Sequence, residues 1–98
     1  MVHESDSIQV EALVFDEWNE DHLAAHGVEQ ADVEEILDNS PGFFHNLPNR
    51  AGSHVMIGQN NQGRYFFIAI RPIAGVIWYP VTGWSLNRRR ALRLLGGA

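Results

Sequence analysis

Apolar residues recur along this chain at two different periods, and the change from one to the other falls near residue 42. Before it, Val33, Ile36 and Leu37 stand at i, i+3 and i+4, which predicts a helix over residues 30–38 with one buried face. Ahead of that helix, Ala12 to Phe15 is a short apolar run, read as a first strand or an extended lead-in. Asp16-Glu17-Trp18-Asn19 then opens another helix, with Asp16 or Asn19 as its cap and acidic residues at its positive end. Trp18, His22 and Leu23 are expected on its inner face. His26-Gly27-Val28 predicts its stop, with glycine at the left-handed position and an apolar residue just beyond. Asn39-Ser40-Pro41-Gly42 supplies turn chemistry after the second helix.

From there the strand period takes over. Phe43-Phe44-His45 is a short strand candidate, and His54–Gln59, Arg64–Arg71 and Val76–Trp84 are longer ones. Asn60-Asn61-Gln62-Gly63 and Pro72-Ile73-Ala74-Gly75 read as hairpin loops, so the expected sheet is an antiparallel meander. Pro80 has no N–H to donate, which places the last strand at an edge or a bulge. A short basic helix over residues 86–95 closes the chain.

Four-residue loops would set the register. Val55, Ile57, Phe66, Ile68, Ile70, Ile77, Tyr79 and Val81 then share an apolar face that carries the helices. His54, Met56, Tyr65, Phe67, Arg71, Trp78, Thr82 and Trp84 share the other. That second face mixes cations with aromatic rings, as a surface for RNA does.

Composition narrows the class. The 98 residues suffice for one domain, expected over residues 10–98 behind a flexible tail at residues 1–9. The absence of cysteine excludes disulfides, thiol catalysis and cysteine-based zinc sites. No apolar run is long enough for a membrane helix and the N-terminal residues are polar, so a cytoplasmic location is expected. The net charge of -5 conceals a division: all 12 acidic residues lie between Glu4 and Asp38, and all 7 basic residues, every one an arginine, between Arg50 and Arg93. One consequence is acidic helices neutralising a basic sheet; the other is a basic surface for an anion or an acidic partner.

Candidate chemistry follows the arginines. His22 and His26 have the i, i+4 spacing of two zinc ligands, but no third ligand is indicated and no metal or cofactor is expected. Metal-free RNA cleavage needs a base for the 2′-hydroxyl, cations for the phosphate and an acid for the leaving oxygen. His54 is the acid–base candidate, and Arg71, beside it in the expected register, would hold phosphate with Arg64, Arg88, Arg89 and Arg90 assisting. Tyr65, Trp78 and Trp84 are the base-stacking candidates.

The segment from Phe15 through His26-Gly27-Val28, with Val33-Glu34-Glu35-Ile36-Leu37, resembles the opening of BrnT-type toxins of bacterial toxin–antitoxin pairs. The resemblance continues through Arg50–Gly58, Gly63-Arg64 and Trp78–Trp84 to the arginine-rich helix, about Val14 to Arg93 in all. It implies a fold similar to the RelE and ParE toxins, with N-terminal helices against an antiparallel sheet. It also implies a metal-independent endoribonuclease, neutralised by a cognate DNA-binding antitoxin. By position Arg64 matches the arginine that starts the central strand, and Arg88–Arg90 match the basic start of the last helix. Two features depart from the pattern. Residues Ala91–Leu95 lack the glutamate and tyrosine usual in that helix, and an acidic first helix replaces a lysine-rich one.

The expected protein is therefore an α+β, BrnT/RelE-like domain whose partner is RNA, with an antitoxin implied by the resemblance. Two alternatives stand beside it: a toxin scaffold without catalysis, acting as a protein- or RNA-binding module, and a homodimer joined through the Trp78 and Trp84 face.

Overall fold

A computed structural model describes residues 8–96. The order of elements is β1 (Ala12–Leu13), α1 (Glu17–Ala24), α2 (Gln30–Asp38), β2 (Gly42–His45), β3 (His54–Gln59), β4 (Tyr65–Ala74), β5 (Ile77–Leu86) and α3 (Arg88–Leu94). The architecture is α+β, as the two periods predict. The sheet runs β1-β5-β4-β3-β2, and it is mixed rather than purely antiparallel because β1 pairs parallel to β5. Of the nine residues expected to form a flexible tail, Ile8 packs against the core and the Gln9 carbonyl accepts from Trp78 Nε1 at 3.1 Å; Met1–Ser7 lie outside the described residues.

Helix α1 begins and ends as its sequence dictates. Asp16 caps it, and Asn19 completes a reciprocal box: each backbone N–H donates to the other's side-chain oxygen at 2.9 Å. At the far end Val28 N–H donates to the Leu23 carbonyl and Gly27 N–H to that of Ala24, with Gly27 at φ 76°. This is the double-bonded glycine stop that His26-Gly27-Val28 predicts. The inner face differs from expectation. Asn19 and Leu23 point inward, while Trp18 is 57% exposed and stacks on His22. Asn19 takes the inner place because its amide donates to the carbonyls of Val14 at 3.0 Å and Pro80 at 2.9 Å.

The two faces of the sheet carry separate cores. On one side α1, α2 and the turn between them bury Leu23, Val28, Val33 and Ile36 against Met56, Phe66, Ile68, Ile70 and Trp78. On the other, Phe44, Val55, Ile57 and Ala69 pack with Leu94 and Leu95 of α3 and its C-terminal end.

This partition corrects the expected register at two places, and the second hairpin corrects it at a third: β4 runs on to Ala74 with Ile73 as an extra residue, so the expected Pro72–Gly75 loop shrinks to Gly75 and Val76. Asn60 is buried, and its side-chain oxygen accepts from the N–H groups of Gln62 and Arg64, so the β3–β4 loop holds one more residue than expected and Gln59 pairs with Tyr65. That shift turns His54 and Met56 to the helix side and Val55 and Ile57 outward. In β5, Ala69 pairs with Thr82 but Ile70 with Pro80, leaving Val81 as an extra residue. The bulge, at the proline as predicted, reverses the alternation. Thr82 and Trp84 therefore face outward while Trp78, of the same parity, faces the helices, and Tyr79 moves to the outer side.

Candidate functional site: a cleft on the outer face of the sheet

Helix α3 packs on the outer face over β3 and β4, and a depression remains beside it. The result is a cleft of about 500 Å³, within the usual range of ligand sites. Its floor is Phe67 and Ala69 of β4 with Thr82 and Trp84 of β5. Phe67 and Trp84 are cross-strand partners stacked at 4.7 Å with an interplanar angle of 9°. Trp84 remains 41% exposed, so a large aromatic surface faces the opening.

The cleft is bounded from opposite ends of the strands. One wall is α3, through Arg90 and Leu94, together with Leu86. The other is the β2–β3 loop, through Leu47, Arg50 and Ala51. Asn46 holds that loop: its amide donates to the Ala51 carbonyl at 2.7 Å and the Gly52 carbonyl at 3.2 Å, and its oxygen accepts from Leu47 N–H at 2.8 Å. Gly52, at φ 76°, passes so close to the Ile70 backbone that a Cβ there would lie 2.7 Å from its carbonyl oxygen. A turn-rich loop is thereby fixed to the sheet and presents Arg50. The charged residues of the lining are Arg50 and Arg90, with no carboxylate among them. The acidic side chains of α1 and α2 belong to the elements packed on the opposite face.

The catalytic candidates do not meet at one point. Arg64 immediately precedes β4, its guanidinium 5.3 Å from the ring of Phe66, a residue of the helix-side core. Arg71 lies seven residues further along, about 23 Å at strand rise, with its guanidinium 4.4 Å from the Tyr79 ring on the outer face. His54 is at the same end as Arg71 but on the opposite face, edge-on to Trp78 at 5.1 Å and beside His45 at 4.8 Å. The expected neighbourhood of His54 and Arg71 thus gives way to the one-residue shift at Asn60. His54 Nδ1 shares a 2.8 Å hydrogen bond with Ser53 Oγ, and Nε2 is buried without a partner. Burial first, and then His45, lowers its pKa.

Of the phosphate candidates, Arg88, Arg89 and Arg90 are exposed on α3, and Arg90 is the one that lines the cleft. Consecutive helical residues point about 100° apart, so one helix face takes one of the three. Of the stacking candidates, Trp84 is at the cleft, Tyr65 shares its face opposite Leu86, and Trp78 is 4% exposed in the helix-side core, where no base reaches it. Trp78 and Trp84 therefore do not share one face. His22 and His26 extend an aromatic chain from Trp18 to Trp84, with His26 edge-on to Trp84 at 6.4 Å. Among the described residues no group of three or more His, Asp or Glu side chains is placed to hold a metal ion.

The residues that sequence reasoning left out of the site are Arg50, Phe67 and Thr82. The signal for Arg50 is its turn-rich setting, Asn46 to Gly52; Phe67 and Thr82 already fall on the outer face in the expected pattern. No helix among the described residues is long and apolar enough to cross a membrane. Comparison with protein-family models, curated proteins and solved structures finds no match.

Proposed function

We propose that this protein binds single-stranded RNA in the outer cleft. The observation that carries the reading is the cleft's composition: two arginines, no carboxylate, and an exposed indole stacked on a second ring. Guanidinium groups pair with phosphate, and aromatic faces accept any base. The division of charge supports it, because the acidic helices lie on the other side of the sheet. So does the arrangement of two N-terminal helices on one face of the sheet, which the resemblance to BrnT-type toxins implies.

Binding has firmer support than cleavage. A metal-free ribonuclease needs a proton-transfer group at the phosphate, and His54 is on the far face from Arg50 and Arg90. The toxin scaffold used as an RNA-binding module is the form of the proposal that fits this geometry.

The test is fluorescence anisotropy of a labelled single-stranded RNA with wild type, Trp84→Ala and Trp18→Ala, the last removing an exposed indole outside the cleft. Wild type and Trp18→Ala should bind alike, and Trp84→Ala should weaken binding by about 1–3 kcal/mol. Equal binding by all three proteins would place RNA elsewhere. The same mixtures, kept in EDTA and run on a denaturing gel, read cleavage directly.

A further inference from the structure

We infer that the cleft accepts one nucleotide unit with a phosphate on each side of it, so that its smallest tight ligand is a nucleoside 3′,5′-bisphosphate. The inference rests on the RNA-binding reading and narrows it. Three features lead there. The two cations approach the floor from opposite ends, Arg50 on the loop between β2 and β3 and Arg90 on α3. Between them lies an uncharged floor with the stacked Phe67–Trp84 pair. A base on Trp84 with a phosphate at each end satisfies both cations, whereas a 5′-monophosphate leaves one without a counter-charge.

The remaining arginines do not extend this track. Arg71 is held over Tyr79, Arg64 lies over Phe66 of the opposite core, and Arg88, Arg89 and Arg93 are outside the lining. With both lining cations used by the two phosphates of one unit, most of the affinity belongs to that unit rather than to a long path. The floor also offers little to read a base edge with, because its polar side chain is the Thr82 hydroxyl. Selectivity among the four bases is correspondingly weak.

Calorimetric titration of the full chain with adenosine 3′,5′-bisphosphate, adenosine 5′-monophosphate and inorganic phosphate tests this, with a uridine oligomer run alongside. The bisphosphate should bind at least about tenfold more tightly than the monophosphate, and inorganic phosphate more weakly than both. Arg50→Ala and Arg90→Ala should each abolish the bisphosphate advantage; both positions are exposed, so folding is unaffected. Trp84→Phe should retain the advantage while weakening both nucleotides. Equal affinity for bisphosphate and monophosphate, or an advantage that survives both arginine variants, would overturn the inference. If the oligomer binds and the bisphosphate does not, the inference fails and the RNA reading stands. If neither binds, both fail.

Discussion

The Tyr79 hydroxyl donates to the Asp16 carboxylate at 2.9 Å, joining the cap of α1 to the outer side of β5 across 63 residues of sequence. The same carboxylate caps the helix through Asn19 N–H, and these hydrogen bonds, the backbone one foremost, hold its pKa below the ordinary carboxylate value. A depressed carboxylate contributes stability above its unfolded pKa of about 3.9 and loses it as pH falls through the folded value. Tyr79→Phe should therefore lower the unfolding midpoint at pH 7 and flatten the stability profile below about pH 4. An acid profile identical to wild type, followed by circular dichroism, would contradict this.

His54 should give stability a second dependence on pH. Its folded pKa is lowered, so the neutral ring is favoured in the fold. The unfolded chain takes up this proton first, and stability is full above about pH 6.5 and declines as pH falls below it. The groups that face the ring are His45, Ser53 and Trp78. His54→Phe should remove the decline between about pH 6.5 and the acid range, as read by urea midpoints in a pH series; an unchanged slope would assign that dependence to another group.

Asn19 is the polar group on which the helix-side core most depends. It is fully buried and joins the cap of α1, the Val14 carbonyl and the Pro80 carbonyl. Asn19→Ala strands these groups and should cost about 1–3 kcal/mol, measured by urea denaturation. Asn19→Asp keeps a cap acceptor but cannot donate to the two carbonyls, so it should not restore stability.

Gly83 sits where β5 crosses beneath the helix-side core. A Cβ there would lie 2.6 Å from Ile68 Cδ1 and 2.8 Å from the Phe67 carbonyl oxygen. The methyl cannot displace that backbone atom without moving the strand, so Gly83→Ala should destabilise by about 1–3 kcal/mol. It should also disturb RNA binding, because its neighbours Thr82 and Trp84 form half the cleft floor.

Much of this fold is legible in the sequence because the signals are local. Helix α2 and strand β3 have the predicted limits, and the glycine stop of α1 is in place. The register is not local. It turns on the Asn60 side chain replacing a backbone acceptor and on which residue around Pro80 bulges, and neither choice changes the apolar period. Both faces of this sheet are buried in part, so alternation alone gives no penalty for exchanging them. The orientation of Trp18 is hidden for a similar reason: hydrophobicity places it inward, and the hydrogen bonds that seat Asn19 in its stead involve Pro80, distant in sequence. Of the cleft, Trp84 and Arg90 are readable from residue type, whereas Arg50 needs the folded loop to bring it to the sheet.

The most direct measurement is the salt dependence of RNA affinity for wild type, Arg50→Ala and Arg90→Ala. On a plot of log affinity against log salt, each phosphate neutralised by the protein contributes a slope of about −0.7 for a single strand. The account predicts that each substitution makes the slope shallower by about 0.7. A slope unchanged by both substitutions, with affinity intact, would show that RNA does not lie between Arg50 and Arg90.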